Sequence, residues 1–383
     1  MKKALMMSSV ASMIDLFNRD NLEILKNLGY DIDVACNFVS GSITSQEKVE
    51  SFKQELIEKN IGVYHIPVPR SIFKLKDIVI SYILVKNLCK ENNYEIVHCH
   101  SPIGGVIVRL ACRKSRKNGT KIIYTAHGFH FYKGAPKKNW IIYYTIEKII
   151  SKFTDCIITI NKEDYQNAQR FNAKIIEYVP GIGVDVQQIR NVQVNAIEKK
   201  KELGIDTDDF VLLSVGQLSI RKNHKVAIMA LSKIHNIKLK LIICGLGELK
   251  PYLTNLIDEL KLSDRVILTG YRNDIYELLH IADCFIFPSL QEGLPVSLME
   301  AMSVGLPIIC SDIRGNIDLI HDGENGFLHD PKDDVALSNS IMKILDSDDL
   351  RLKMGEQNRL KIESFDRKYI KEQMTVIYEN IVK

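Results

Sequence analysis

The chain alternates between short, almost continuously apolar runs and longer segments in which apolar residues recur every three or four positions. The short runs predict strands covered on both faces, and the longer segments predict helices with one buried stripe. Strands are predicted at residues 4–8, 33–36, 63–66, 96–100, 121–125, 156–160, 210–215, 239–244, 265–269, 284–287 and 307–310. Helices are predicted at 21–28, 45–59, 78–91, 139–153, 225–237 and 369–383. This alternation predicts parallel sheets and an α/β, doubly wound fold.

The alternation pauses between residues 184 and 209, where a turn-rich stretch is followed by the polar run Lys199-Lys200-Lys201. We expect the domain junction there. The chain of 383 residues is long enough for two domains, predicted at 1–185 and 186–366, with a last helix over 367–383 that returns to the first domain. Doubly wound domains bind ligands outside the carboxyl ends of their strands, so we expect a binding crevice where the two domains face each other.

Composition excludes several classes of protein. Hydrophobic residues make up 46% and charged residues 26%, as in a globular protein. Apolar runs fall well short of the ~20 residues of a membrane-spanning helix. The start of the chain predicts a buried strand and not a signal peptide, because Asp15, Arg19 and Asp20 follow at once. The eight cysteines form no C-x-x-C pair, which disfavours zinc and redox sites and fits a reducing cytoplasm.

The net charge of +4 hides an uneven distribution. Residues 1–185 hold 26 basic and 18 acidic side chains, a net of +8, and the remainder carries −4. Residues 101–154 hold eleven basic residues and one acid, Glu147, with Phe129, Phe131, Tyr132 and Trp140 interleaved. Basic residues with interfacial aromatics predict peripheral contact with an anionic membrane, although a solvated surface has the same composition. No nucleic-acid motif is present, so nucleic acid is not an expected partner.

The segment 284–302 is the most informative for chemistry. A strand ends at Phe287, a loop with Glu292 follows, and the run Gly293-Leu294-Pro295-Val296 leads into a helix that carries Glu300. Free amides at such a helix start favour an anion. Two carboxylates beside an anion site are explained if they contact neutral sugar hydroxyls, so the segment predicts a nucleotide-sugar site. Considered separately, each of the two glutamates would be expected to be an ordinary solvent-exposed residue.

Two further strand-end loops in the same half carry candidate groups. After Gly216 the chain presents Arg221 and Lys222 at a strand–loop–helix junction, where cations can neutralise a diphosphate. Another loop carries Tyr271 and Arg272. The Gly-x-Gly turn after the strand at 239–244 is weak evidence by itself, because the full dinucleotide fingerprint is absent.

Histidines mark strand ends in the first half. His127 follows a strand directly and precedes Gly128, while His98 and His100 lie at another strand end before Gly104-Gly105. Three histidines facing one crevice favour a functional role for His127 over a structural one. A metal site is disfavoured, because the nearby carboxylate, Glu95, lies at the opposite end of its strand.

Together these segments resemble glycosyltransferase family 4, the retaining enzymes with two Rossmann-like domains (GT-B fold). Glu292 and Glu300 match the E-x7-E motif of that family. The stretches 283–289, 301–307 and 322–327 are also similar, and the likeness covers essentially the whole chain, most strongly 211–328. The first half resembles bacterial transferases that build capsules, exopolysaccharides or lipid-linked glycans.

The resemblance implies roles for matching positions on the donor side. Glu300 would hold the ribose hydroxyls, and Glu292 would contact the donor sugar at its reacting face. Lys222 would bind the diphosphate, and the loop at Tyr271 and Arg272 would line the base. The donor-binding residues so implied are Gly216, Arg221, Lys222, Tyr271, Arg272, Glu292, Gly293, Leu294, Pro295, Val296 and Glu300.

On the acceptor side, the first domain would contribute Ser9, His100, Gly104 and His127, and His127 would also contact the donor sugar. The catalytic set is therefore His127, Glu292 and Lys222. Two positions depart from the family. Gln217 stands where an arginine is expected, so Arg221 is the candidate to replace that diphosphate contact, and the loop at 8–13 lacks the usual paired glycines.

The resemblance implies transfer of a sugar with retention at the anomeric carbon, without a metal or other cofactor. Cations and helix amides would stabilise the negative charge of the departing diphosphate. The chain has no D-x-D pair at a strand end, since Asp31-Ile32-Asp33 opens a strand instead. The expected donor is a UDP-sugar such as UDP-N-acetylhexosamine, and the expected acceptor is a glycan or polyprenyl-diphosphate-linked glycan. A nucleotide-sugar epimerase of similar architecture and a non-catalytic sugar-nucleotide-binding subunit remain the alternatives.

Overall fold

The computed structural model describes residues 2–42 and 44–383. The chain forms two compact units, one made of Met1–Ile182 with Lys368–Lys383 and the other of Gly183–Arg367. The C-terminal helix thus belongs to the first unit, which the chain leaves and later re-enters. Each unit is built around a parallel sheet of its own.

The first unit contains seven parallel strands in the order β3-β2-β1-β4-β5-β6-β7. Side chains of β1 alternate between two apolar clusters, with Ala4 and Met6 in one and Leu5 and Met7 in the other. The sheet is therefore covered on both faces, as its continuous apolar strands predict. The strands are β1 Lys2–Val10, β2 Tyr30–Asn37, β3 Gly62–His65, β4 Ile96–His100, β5 Lys121–Ala126, β6 Cys156–Thr159 and β7 Ile175–Tyr178.

Helices of the first unit cover both faces of this sheet. They are α1 Ala11–Phe17, α2 Arg19–Asn27, α3 Gln46–Glu58, α4 Leu75–Asn92, α5 Pro102–Ala111, α6 Arg113–Lys117, α7 Lys137–Asn139, α8 Thr145–Ile150, α9 Lys162–Ala168 and, at the C-terminus, α19 Arg367–Val382. A π-helical turn, Trp140–Tyr144, joins α7 to α8. Helix α19 buries Ile370, Met374, Tyr378 and Ile381 in the cluster that also holds Ala4.

The second unit contains six parallel strands in the order β10-β9-β8-β11-β12-β13. Its strands are β8 Phe210–Val215, β9 Leu239–Cys244, β10 Val266–Gly270, β11 Cys284–Phe287, β12 Ile308–Ser311 and β13 Gly326–His329. Its helices are α10 Val186–Arg190, α11 Ala196–Glu202, α12 His224–Ser232, α13 Lys250–Glu259, α14 Ile275–Ile281, α15 Val296–Val304, α16 Asn316–Leu319, α17 Asp334–Leu345 and α18 Asp348–Ile362. Because all strands run in one direction, the loops after β8, β9, β10 and β11 meet at one edge.

The predicted α/β, doubly wound fold class is confirmed, and every predicted strand is present within a few residues of its predicted bounds. The strands β7 and β13 were not predicted. Both are four-residue strands at a sheet edge; no residue of β7 is fully buried, and β13 buries Gly326 and His329. A short edge strand lacks the continuous apolar run on which the prediction relied.

Within the described residues, every helix is too short or too polar to cross a membrane. The eight cysteines are all buried and none forms a disulfide. Burial raises the pKa of several of these thiols, for example Cys36 and Cys310, so they remain protonated and act as small apolar side chains.

Candidate active site

At the carboxyl edge of the second sheet, the loops after neighbouring strands approach each other closely at glycine residues. The amide of Gly216 donates to Cys244 O (2.9 Å), and the amide of Gly245 donates to Gly270 O (2.8 Å). A Cβ at Gly245 would lie 2.0 Å from Gly216 O, and the φ of Gly245 is +154°. Only glycine fits there, so the weak Gly-x-Gly signal reflects the close approach of two loops after neighbouring strands.

Lys222 ends a short 3₁₀ turn, Ile220–Lys222, that follows β8. The next residue, Asn223, has a left-handed backbone, and its side-chain amide donates to Pro288 O (3.0 Å) and Pro331 O (2.7 Å). Asn223 therefore ties this turn to the loop after β11. The ammonium of Lys222 lies 4.6 Å from the centre of the Phe287 ring, and its side chain is only 13% exposed.

Glu292 lies on the loop after β11 and is buried. Its Oε1 is 2.9 Å from Lys222 Nζ and 2.9 Å from Arg221 Nη1. Burial lowers the pKa of Lys222, and the Glu292 carboxylate opposes that shift. Two cations around one carboxylate leave an excess positive charge at the strand ends, which favours an anionic ligand.

The loop after β11, which carries Glu292, is also held by hydrogen bonds to main-chain carbonyls. Leu290 donates to Arg221 O (2.8 Å), and Arg314 Nε donates to Glu292 O (3.2 Å). A Cβ at Gly315, whose φ is +83°, would lie 2.3 Å from Gly293 O. The loop that carries Glu292 is therefore fixed from both sides before it enters α15.

Helix α15 begins after Pro295, and no side chain caps its N-terminus. Its first amides have no partner within the helix, and they carry the positive end of the helix dipole. Leu294 and Pro295 are buried, while Gly293 and Val296 are half-buried. The predicted anion-binding segment therefore has the expected strand–loop–helix geometry.

Glu300 lies one and a half turns into α15 and is half-buried. Burial raises its pKa to about 6, and a hydrogen bond with Tyr276 on α14 opposes this shift. Burial and the neighbouring Glu300 carboxylate raise the pKa of Tyr276 to about 12, so the phenol remains a donor. Tyr276 was not predicted, and its position in the sequence carries no signal of this contact.

Tyr271 and Arg272 are neighbours in the sequence but lie in different environments. The ring of Tyr271 is exposed. The guanidinium of Arg272 pairs with Asp274 and with Glu202 (2.7 Å), in a cluster that includes Lys199. Arg272 thus links the end of α11 to the residue that precedes α14, whereas the exposed Tyr271 ring can stack on a planar group.

His224 is a second residue missed by the sequence analysis. It begins α12 and is buried, with Nδ1 3.2 Å from Ser214 Oγ and Nε2 3.3 Å from Gly216 O. Burial lowers its pKa to about 4, so the ring is neutral near pH 7. His224 supports the turn that contains Gly216, and its signal in the sequence was its place immediately after the Arg221-Lys222-Asn223 run.

In the first unit, two predicted acceptor-side residues meet at the end of β1. Ser9 Oγ lies 2.6 Å from Ser101 Oγ, and the amide of Ser9 donates to the same oxygen (3.1 Å). A Cβ at Gly104 would lie 2.8 Å from Ser101 Oγ and 3.4 Å from the amide nitrogen of Ser9, so Gly104 lies close to the end of β1.

His127 and His100 form a hydrogen-bonded pair, with His127 Nε2 3.1 Å from His100 Nδ1. Burial lowers the pKa of His127 to about 4 and holds the pKa of His100 well below its usual value, so both rings are neutral near pH 7. The other nitrogen of His100 lies 3.1 Å from Met6 Sδ. A thioether only accepts, so His100 Nε2 carries its proton, His127 Nε2 donates to His100, and His127 Nδ1 is left as an acceptor.

His98 has a structural role. It is buried inside β4, with Nδ1 2.7 Å from the Tyr378 hydroxyl on α19 and Nε2 2.8 Å from Thr125 Oγ1. Burial lowers its pKa to about 3. The prediction that three histidines share one site thus reduces to the pair His100 and His127, because the His98 ring is fully used by its neighbours.

Comparison with known proteins agrees with this geometry. Residues 195–361 match the family described as glycosyl transferases group 1, and residues 15–161 match the family described as glycosyl transferase 4-like. The chain is 36% identical, over 98% of its length and 96% of the relative, to EpsD of Bacillus subtilis (strain 168), whose name assigns it to the glycosyltransferases. It is 31% identical, over 89% of its length and 86% of the relative, to the UDP-Gal:alpha-D-GlcNAc-diphosphoundecaprenol alpha-1,3-galactosyltransferase of Escherichia coli.

The fold is similar to that of solved glycosyltransferase structures. The Anabaena protein Alr3699/HepE, solved in complex with UDP, superposes with a TM-score of 0.79 at 19% identity, over 99% of this chain and 100% of that chain. These matches confirm the predicted family and support glycosyl transfer over the epimerase and the non-catalytic subunit. The chain belongs to the group 1 and 4-like glycosyltransferases and has their two-domain GT-B fold.

Proposed function

We propose that this glycosyltransferase moves a sugar from a UDP-sugar to a polyprenyl-diphosphate-linked acceptor, with retention at the anomeric carbon and without a metal ion. The observation that carries the proposal is the cluster of Lys222 and Arg221 around Glu292, beside the uncapped N-terminus of α15. Cations and oriented amides stabilise a departing diphosphate where many transferases use a metal. The UDP in HepE and the diphosphoundecaprenol acceptor of the E. coli relative support the two substrate classes.

In the proposed donor site, the second unit binds the nucleotide sugar. Lys222, Arg221 and the first amides of α15, from Gly293 to Val296, contact the diphosphate. Glu300 accepts hydrogen bonds from the ribose hydroxyls, and Tyr271 lines the base. Glu292, held at the strand ends by Lys222 and Arg221, contacts the donor sugar.

The reaction breaks the bond between the anomeric carbon and the β-phosphate oxygen. The acceptor hydroxyl bonds to the same face of that carbon, and its proton passes to the departing phosphate oxygen. No carboxylate nucleophile is required. His127, neutral and with Nδ1 as an acceptor, receives a hydrogen bond from a hydroxyl of the donor sugar.

The first unit takes the acceptor beside His127, where the buried residues Ser9, His100 and Gly104 support the site and His100 orients the His127 ring. We further propose that this unit contacts the inner, cytoplasmic face of the membrane, where a polyprenyl acceptor resides. The exposed Lys137 and Lys138 on α7 are followed by the exposed Ile141 and Ile142 on the π-helical turn, which suits an anionic lipid surface.

A nucleotide-sugar panel tests the proposal. UDP-GlcNAc, UDP-GalNAc, UDP-Gal and UDP-Glc are each supplied with undecaprenyl-diphosphate-linked sugars, and nucleotide release and product mass are measured. We expect one donor to give UDP together with an acceptor heavier by one sugar residue. Nucleotide release or sugar inversion without any acceptor would instead indicate the epimerase class, and donor binding without turnover a non-catalytic subunit.

A further inference from the structure

The first unit contains an apolar groove that the donor chemistry does not use. Its walls come from the segment that leads into α4, from α5, and from the π turn with α8, and its cavity volume is about 140 Å³. The lining side chains that matter here are Ile72, Ile78, Ile103, Val106, Tyr143 and Ile146. The lining carboxylate, Glu147, is buried and pairs with Arg109 (2.8 Å), so it adds no free charge to the groove.

Both walls of the groove continue as exposed apolar surface. On the first wall Phe73 is 87% exposed, and on the second wall Ile141 is 71% exposed. Further exposed apolar residues on the same segments are Leu75, Val79, Ile83 and Ile142. Scattered exposed apolar residues are normal, but a groove flanked on both sides by such residues marks an interaction surface.

The groove starts at the proposed acceptor site. Pro102, at its edge, follows Ser101, whose hydroxyl contacts Ser9. Gly128, also at its edge, follows His127. A molecule whose polar head lay at Ser9 and His127 would therefore have the groove open to its apolar part.

The charges on the chain segments that contribute to the groove walls favour an anionic amphiphile. Residues 70–84 and 133–152 hold the basic residues Arg70, Lys74, Lys76, Lys133, Lys137, Lys138, Lys148 and Lys152. The same segments hold two acids, Asp77 and the paired Glu147. This excess of cations disfavours a second copy of the chain, which would bring the same charges into contact.

We infer that this groove binds the first isoprene units of the lipid chain on the acceptor, so that the enzyme selects its acceptor by lipid as well as by sugar. The inference rests on the proposed acceptor class. A branched hydrocarbon fits walls of isoleucine, valine and tyrosine, whereas a peptide in the groove would leave its main-chain amides without partners. The excess of basic residues on the segments that form the walls suits the diphosphate that joins lipid to sugar.

The chain carries its own reporter for this test. Trp140 is its one tryptophan, and the centre of its ring lies 5.5 Å from that of Phe131, which lines the groove. Farnesyl diphosphate, kept below its micelle concentration, is titrated while Trp140 fluorescence is recorded. We expect a saturable change that inorganic diphosphate alone does not produce. Absence of a saturable change, or the same change with diphosphate alone, overturns the inference.

A matched pair of variants locates the binding. Ile146 lines the groove, and Ile149, three residues further on α8, lies outside it and is exposed. We expect Ile146→Lys to weaken farnesyl diphosphate binding at least tenfold and Ile149→Lys to change it less than threefold. Equal losses in both variants would indicate general adhesion to the apolar surface and would contradict the groove assignment.

A second variant covers the case in which Ile146→Lys fails to fold. Val106 lines the groove from α5 and is half-buried, and Val106→Phe narrows the groove without adding charge. We expect the same loss of at least tenfold, with an unchanged melting temperature. Because the titration uses no donor, a failure of the groove assignment is distinct from a failure of transfer in the nucleotide-sugar panel.

Discussion

Replacing Lys222 by alanine is expected to lower kcat at least 100-fold. The Lys222 ammonium is mostly buried, lies 2.9 Å from Glu292 and sits at the strand ends beside α15, where the diphosphate charge develops. Removing one preorganised donor from such a site costs about 3 kcal/mol of transition-state stabilisation. Initial rates at saturating donor and acceptor measure the effect.

The control for this variant is Lys225→Ala. Lys225 lies three residues along the chain, on α12, with its ammonium 5.8 Å from the centre of the Tyr252 ring. We expect its loss to change kcat less than threefold. Arg221→Ala should fall between the two, because that side chain is 48% exposed and is screened by water. A Lys222→Ala enzyme with kcat within threefold of the unmodified enzyme would contradict the assignment.

Replacing Glu300 by alanine is expected to raise the donor KM at least tenfold, with a smaller effect on kcat. Hydrogen bonds from hydroxyls to a carboxylate are worth about 1.5–3 kcal/mol each, and they are made in the ground state as well as in the transition state. Steady-state kinetics with varied donor separate the two constants. A donor KM that stays unchanged would remove Glu300 from the ribose site.

The same residue predicts a pH dependence. Because burial raises the pKa of Glu300 to about 6, its carboxylate is protonated below that pH and loses acceptor capacity. We expect kcat/KM for the donor to fall as the pH drops through about 6. Tyr276→Phe removes the hydrogen bond that lowers this pKa, so the midpoint should move to higher pH.

A carboxylate elsewhere on the second unit serves as the control for both experiments. Glu277 lies beside Tyr276 in the sequence but pairs with Lys199 at 2.6 Å. We expect Glu277→Ala to leave the donor KM and the midpoint of the pH profile unchanged. A midpoint that shifts equally in Glu277→Ala and Tyr276→Phe would indicate a general electrostatic effect and not a contact at Glu300.

Much of the fold could be predicted from the sequence because parallel strands covered on both faces are continuous apolar runs. The runs at 96–100 and 210–215 coincide with β4 and β8 for this reason. The edge strands β7 and β13 are partly exposed and lack such a run. The π turn Trp140–Tyr144 was predicted as part of one regular helix, since its extra residue per turn leaves no mark in composition.

The sequence could predict which residues belong to the candidate site, but not which of their side chains contact one another. Glu292 and Lys222 lie on loops after neighbouring strands, and both were predicted to contact the donor. Their direct contact depends on how the loops fold over the sheet edge, which Asn223 and Arg314 fix through main-chain carbonyls. Arg272 was assigned to the donor side because of its loop, although Asp274 and Glu202 hold its guanidinium.

The groove in the first unit lay outside the sequence analysis for a related reason. Helix α4 carries apolar residues on several faces, so the pattern of positions did not indicate which face packs inward. The structure buries Val85 and Leu88 and leaves Leu75 and Val79 exposed. Which face of such a helix is exposed is decided by the neighbouring elements, and only the folded unit shows it.

The configuration of the product tests the central claim most directly. The donor selected by the panel is reacted with its undecaprenyl-diphosphate-linked acceptor in the presence of EDTA, and the anomeric centre of the product is assigned by NMR. If cations and helix amides take the place of a metal, EDTA should leave turnover unchanged. If the acceptor attacks the face that the phosphate leaves, the product should have the same anomeric configuration as the donor. An inverted product, or transfer abolished by EDTA and restored by a divalent cation, would contradict the account.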